Sequence, residues 1–306
     1  MMDSGGPHCP YCSAVTTALL AAPDVNRHVT RTVFHLRQCS GCGLIFLADP
    51  PADLGPYYTS DYHYVPKDRA ELETHLPPQR FKIELLRRYR QTGTLLEIGP
   101  SIGQFCALAQ QSGFVVHAVE MDVDCARFLT TELGVVTTCS ADPASVLRDQ
   151  PQTYDAICLW HALEHLQRPW EVLAAATARL NPGGVIVVAA PNPLSIQARR
   201  MGGRWPHHDL PRHLFGLPMP WMSRWAEAQG LDVVLATTRD EGSLDWNRFS
   251  WAMRVIGLVP GAKPGRLVWW LGMQFGGLML RFEGGEGEGA CYTMVLQRPI
   301  SPAAAN

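Results

Sequence analysis

Between residues 79 and 240 the apolar positions follow two rhythms in turn. Short apolar runs of strand length stand at 94–98, 114–120, 135–139, 154–160, 185–190 and 231–238. Most are separated by stretches of helical period, at 79–91, 104–112, 123–133, 168–180 and 220–229. Gly93, Gly113, Gly134 and Gly230 follow four of these stretches, where a left-handed residue ends a helix. In 168–180 the alanines Ala174, Ala175, Ala176 and Ala178 favour the helical state. Strands alternating with helices predict an α/β unit, a parallel sheet covered on both faces. Residues 191–217, rich in Pro, Arg, His and Trp, read as irregular. Beyond 240 comes an apolar insertion, 243–282, and then a last strand at 291–297. The insertion has two apolar stretches around Pro260-Gly261-Ala262-Lys263-Pro264-Gly265, which predicts a helical hairpin.

The first 50 residues differ. They show β-like runs at 29–36 and 44–47 and no helical period. Residues 51–78, with Pro51, Tyr57, Tyr58, Tyr62 and Tyr64, read as an aromatic connector strapped to the main domain of 79–300. Cys9-Pro-Tyr-Cys12 and Cys39-Ser-Gly-Cys42 form two C-x2-C knuckles. Each knuckle places two thiolates on one side of a tight turn, and two knuckles complete a tetrahedral S4 site suited to zinc. Four ligands leave no open position, so the predicted zinc is structural, in a small zinc-ribbon-like module. It would hold together a segment too short to stand on its apolar surface alone.

Composition narrows the partners. Of 306 residues, 46% are hydrophobic and 18% charged, which suits a globular protein; a net charge of -2 gives no global field for nucleic acid. The arginine clusters at 87–90 and 199–204 read as solvated helix faces. No signal peptide is legible, and the longest apolar run, 267–280, falls short of the ~20 residues a span needs. A cytoplasmic location follows as the expectation, with reduced thiols that favour metal over disulfides.

The stretch Leu95-Leu96-Glu97-Ile98-Gly99-Pro100-Ser101-Ile102-Gly103 is an apolar strand running into a turn and a helix. Gly99 and Gly103 allow close approach of a ligand to the backbone, and the helix start offers unpaired N–H groups. The stretch resembles the first motif of class I S-adenosylmethionine-dependent methyltransferases, with Ser101 in place of the middle glycine. Further residues agree with that resemblance: Val119-Glu120 ends the second strand, Tyr154-Asp155-Ala156-Ile157-Cys158-Leu159-Trp160-His161 is similar to the fourth-strand motif, and Leu180-Asn181-Pro182-Gly183-Gly184 to the turn before the fifth strand. The resemblance implies a Rossmann-like fold and S-adenosylmethionine as cofactor, bound by Glu97, Gly99, Ser101, Gly103, Glu120, Met121, Ala141, Asp142 and Trp160. Within that set, Glu120 would hold the ribose hydroxyls, and Asp142 stands equally well as a helix N-cap before Pro143. The cysteine knuckles and the Pro-Arg-His-Leu at 211–214 are similar to a bacterial subgroup of glycan and secondary-metabolite pathways.

Two segments beyond the strand ends carry candidate chemistry. His161, Glu164 and His165 share one face if their segment turns helically, and they resemble the Glu-x-x-Glu-His segment of metal-dependent methyltransferases, with histidine in place of the first acid. Packing beside the cofactor is the other reading. The second segment, 204–214, offers His213 as a general base and Arg212 for an anionic acceptor. The expected function is methyl transfer to a small or carrier-linked acceptor, at oxygen first. The alternatives are a nicotinamide-dependent oxidoreductase on the same layering or a non-catalytic scaffold. The insertion 243–282 is expected to be a lid or pocket wall, next a homodimer contact, and last a membrane contact.

Overall fold

The computed structural model describes residues 8–59, 64–256 and 265–300. Strands Thr16–Pro23 (β1), Val33–Cys39 (β2) and Ile45–Leu47 (β3) pair antiparallel near the N-terminus. Helices Arg69–Glu73 (α1) and Arg80–Arg87 (α2) lead into the alternating region. It runs Gly93–Ile98 (β4), Gln104–Gln111 (α3), Phe114–Glu120 (β5), Val123–Thr131 (α4), Val136–Cys139 (β6), Pro143–Asp149 (α5), Tyr154–Trp160 (β7), Pro169–Ala178 (α6) and Leu180–Pro191 (β8). Then follow Ile196–Met201 (α7), Phe215–Gly216 (β9), Met219–Ala228 (α8), Asp232–Thr237 (β10), Glu241–Ile256 (α9), Arg266–Met279 (α10) and Cys291–Gln297 (β11).

Seven strands form one sheet in the order β10-β11-β8-β7-β4-β5-β6, and β11 runs antiparallel to both its neighbours. Strands β4 to β8 are parallel to one another. This is the Rossmann-like architecture that the resemblance implies. Side-chain alternation explains the two helical layers: Leu96, Ile98, Ile157, Leu159, Ile186 and Val188 enter one core, while Leu95, Ala156, Cys158, Val185 and Val187 enter the other. Strand order reverses between β4 and β7, so their C-terminal ends open a crevice for ligands.

Several boundaries differ from the pattern. Helix α6 stops at Ala178 because the backbone from Leu180 already pairs with Tyr154, with a register shift before Ala156. Residues 143–149, without a strong period of their own, form α5 because Asp142 caps it through the Ser145 amide at 3.0 Å and Pro143 starts it.

The largest departure lies in the stretch expected to be irregular. There β9 pairs with β3, Phe215 opposite Phe46 and Gly216 opposite Ile45, giving a second sheet in the order β1-β2-β3-β9. Without it the buried β3 would present an open edge. The N-terminal sheet shares one core with the α6 and α8 side of the large sheet: Tyr11 lies 5.5 Å from the Trp170 ring and 5.1 Å from Trp221. Helices α9 and α10 pack together; of the expected break between them, residues 260–264 lie outside the described residues. Among the described residues, no helix is long and apolar enough to cross a membrane.

Candidate functional site

The four cysteines converge. Cys9 Sγ lies 3.8 Å from Cys42 Sγ and Cys12 Sγ 3.4 Å from Cys39 Sγ, with all four within 4.8 Å of one another. A zinc ion with Zn–S bonds of ~2.3 Å needs sulfur–sulfur edges of ~3.8 Å, so the donor set fits a tetrahedral ion. The Cys42 amide donates to Cys39 Sγ at 3.3 Å. Burial works to raise the Cys39 thiol, but the Cys42 amide and the neighbouring thiols outweigh it and hold it at about 6. Gly41 belongs to the cradle, since a Cβ there would sit 2.9 Å from that of Ala14 and 3.8 Å from the sulfurs of Cys12 and Cys39.

At the end of β4 the chain turns through Gly99 (φ 70°), Ser101 (φ 54°) and Gly103 (φ 79°). Ser101 thus takes the left-handed conformation a glycine would adopt freely, at a cost of about 1 kcal/mol. Its amide donates to Glu120 Oε2 at 2.8 Å, and the Asp122 amide to Oε1 at 2.8 Å. Each oxygen of Glu120 keeps a further lone pair for a hydroxyl. Burial pushes the Glu120 carboxyl upward against those amides. Gly103 also serves packing, because a Cβ would lie 2.4 Å from Leu129. Beneath the loop, Glu97 is buried and accepts from Cys106 Sγ at 3.0 Å; burial lifts its carboxyl to about 7. Met121 is 58% exposed, and Ala141 and Asp142 are exposed beside it in the fold, Asp142 occupied as the α5 cap.

Next to this loop lies a cavity of about 510 Å³, lined among others by Lys82, Gln104, Trp160, His161, Trp246 and Phe249. Trp160 is held edge-on by Phe105 and Phe81, with the Lys82 ammonium 5.3 Å from its ring. Lys82 was not legible as a site residue: in the sequence it is one polar position of an amphipathic helix. Only the packing of α2 across the strand ends brings it to the cavity.

His161 follows β7 with φ 54°, lines the cavity, and its ring lies 5.2 Å from that of Trp246 at a tilt of 58°. Its Nδ1 lies 3.6 Å from Glu164 Oε1, within ion-pair reach and beyond hydrogen-bond length. Glu164 is buried, and among the described residues neither of its oxygens has a hydrogen-bond partner. Burial alone would raise this carboxyl, but His161, His213 and His165 bring it to about 2, so it stays ionised. His213 stands on the far side, Nε2 4.0 Å from Glu164 and 4.0 Å from Asp209, its Nδ1 2.9 Å from the His207 carbonyl. His165 meets His213 edge-on at 4.5 Å, and its Nδ1 lies 3.1 Å from the Arg212 carbonyl and 3.0 Å from the Tyr58 hydroxyl. Glu164, His165 and His213 could together hold a cation.

The structure therefore brings His161, His165 and His213 together around Glu164 but gives only His161 to the cavity wall. It also corrects the reading of Arg212. That side chain is fully buried, bound to Asp24 at 2.7 Å and Asp209 at 2.8 Å, so it joins the N-terminal sheet to the histidine loop and is not available to an acceptor. Its partner Asp24 carried no motif. Of the hairpin, α9 supplies the cavity wall and α10 none of it.

A family model described as a methyltransferase domain matches residues 71–236, over half the chain. A relative named ubiquinone biosynthesis O-methyltransferase, from Saccharophagus degradans, is 28% identical over 102 residues, covering 32% of this chain and 43% of that protein. The chain thus matches less than half the length of that relative. Among solved structures, an S-adenosylmethionine-dependent methyltransferase from Archaeoglobus fulgidus is similar at 17% identity and a TM-score of 0.49, covering 73% of this chain and 93% of that one. A geranyl diphosphate methyltransferase solved with S-adenosylmethionine is similar at 18% identity and a TM-score of 0.47, covering 81% and 92%.

Proposed function

Because the chain belongs to the methyltransferase-domain family, we propose that it transfers a methyl group from S-adenosylmethionine to a small or carrier-linked acceptor, at oxygen. The cofactor, when bound, supplies an electrophilic methyl on a sulfonium. Glu120 accepts the ribose hydroxyls with the lone pairs its amide partners leave. The loop of Gly99, Ser101 and Gly103 faces the cofactor with backbone, while Glu97, Met121, Ala141, Asp142 and Trp160 complete its surroundings.

The observation that carries the reading is His161 on the cavity wall with the ionised Glu164 behind it. Glu164 faces Nδ1, which leaves Nε2 to take the acceptor's proton; the carboxylate stabilises the imidazolium that results. His213 and His165 then position Glu164 and do not meet the acceptor. An oxygen acceptor needs that proton removed, and the relative's name is that of an oxygen methyltransferase. The family match speaks against hydride transfer to a nicotinamide. At the end of the N-terminal sheet, Cys9, Cys12, Cys39 and Cys42 hold a structural zinc.

The test is Glu120→Ala beside His161→Ala. The first weakens S-adenosylmethionine binding by about 2–4 kcal/mol in calorimetry. The second leaves that affinity in place and removes turnover. Unchanged affinity in Glu120→Ala places the ribose elsewhere, and cofactor binding without turnover on any acceptor favours a scaffold.

A second reading has its own observation. The Arg212 and His207 carbonyls can only accept, so Nδ1 of His165 and of His213 carries the proton and each Nε2 keeps its lone pair. With the unpartnered Glu164 carboxylate these form a two-histidine, one-carboxylate donor set suited to a divalent cation. Turnover abolished by chelation and restored by magnesium or manganese selects this reading.

A further inference from the structure

Helix α10 carries an apolar face that no described residue covers. It meets α9 through glycine: a Cβ on Gly272 or Gly276 would lie 3.1 Å and 2.2 Å from the carbonyl oxygens of Ala252 and Arg248. Such close backbone packing turns the larger side chains of α10 away from its partner. Leu267, Trp270, Leu271 and Leu278, with Phe282 a turn further, form one stripe broken only by the exposed Gln274; Leu267 is 68%, Trp270 56% and Phe282 65% exposed. Scattered apolar residues on a surface need no explanation, but a contiguous stripe of this kind marks an interaction face. None of it lines the cavity, so closing over the acceptor does not account for it.

Charge selects the occupant. α10 contains no acid; Arg266 opens it, Arg281 follows it, and Arg254 is exposed on α9. Among the described residues these three arginines form no ion pair. The acids that follow α10 are each engaged by other groups of the fold instead. Glu283 accepts from Trp251 Nε1 at 2.7 Å and from Gln197, Glu286 from the Thr238 amide at 2.5 Å, and Glu288 pairs with Arg199 at 3.1 Å. A stripe that is apolar but for the exposed Gln274, bears an indole, and has an arginine at each end matches the interface of an anionic bilayer. A two-fold contact with a second copy would instead oppose two identical cationic faces.

We propose that the α9–α10 hairpin docks this protein on anionic membrane surfaces, with α10 lying in the interfacial layer and spanning nothing. The test is flotation of the full chain with vesicles of phosphatidylcholine plus phosphatidylglycerol, and with phosphatidylcholine alone. The protein is expected to bind the mixed vesicles and to bind the neutral ones more weakly. Trp270→Ser with Leu271→Ser lowers vesicle affinity at least about tenfold. Arg266→Gln with Arg281→Gln lowers binding to the mixed vesicles about tenfold and leaves binding to the neutral ones unchanged. Both variants keep S-adenosylmethionine affinity, which reports folding; if the serine variant misfolds, the glutamine variant decides alone. Absence of binding to either vesicle overturns the proposal. So does a lipid-free dimer in sedimentation velocity that the serine variant dissociates.

Discussion

Replacing Arg212 with methionine tests how the N-terminal sheet and the histidine loop hold each other. The guanidinium binds Asp24 Oδ1 at 2.7 Å through Nη2, and it binds Asp209 through Nη2 at 2.8 Å and Nε at 2.9 Å. Removing it strands two carboxylates in a buried space. Neither is left wholly bare: Asp24 also accepts the amides of Val29 at 3.0 Å and Arg27 at 3.2 Å, and Asp209 accepts from Asn26 at 2.6 Å. Breaking a buried pair by deleting one partner costs about 3–5 kcal/mol, and the surviving hydrogen bonds place this case toward the lower figure. Against a total stability of roughly 5–15 kcal/mol, that loss is large. Urea unfolding followed by tryptophan fluorescence measures it. Because the Arg212 carbonyl orients His165 and the next residue is His213, turnover should fall as well. The variant Arg212→Met with Asp24→Leu and Asp209→Leu removes all the charges and should recover much of the stability, since apolar replacement of a whole buried network is often neutral. A single Arg212→Met variant within about 0.5 kcal/mol of the parent would refute the reasoning, because that is the scatter of ordinary surface changes.

Acid should destabilise the fold below pH 6.5. Burial is the main cause that holds His165 near 4, His207 near 3 and His208 near 4, so between pH 6.5 and 4 the unfolded chain takes up protons that the folded one refuses. Stability is then lost as pH falls, by up to about 1.4 kcal/mol per unit per histidine; Glu97, raised to about 7, opposes this with a single proton. Equal urea midpoints at pH 7.5 and 5.5 would contradict it. Elemental analysis should find about one zinc per chain, and Cys39→Ser should lose the metal and the order of the N-terminal sheet. A zinc-free native protein, or a Cys9–Cys12 disulfide under reducing conditions, speaks against the site.

The sequence by itself determined what is local. Mostly apolar runs alternating with helical periods specified a parallel sheet with two helical layers, because side-chain alternation and the 3.6-residue repeat are properties of adjacent residues. The two C-x2-C knuckles and the Glu97-to-Gly103 turn were legible for the same reason: each knuckle, like the turn, is a single short stretch of chain. Tertiary structure decided what depends on distant segments meeting. Phe215 and Gly216 carry no strand signal of their own, yet they pair with β3 because an exposed edge there needs a partner. Arg212 reads as an anion ligand until Asp24, 188 residues away in sequence, neutralises it in a buried site. In one dimension His213 reads as the general base, and His161 as part of a metal-binding segment or as packing beside the cofactor. The fold sets Glu164 between them, and only His161 is left facing the cavity.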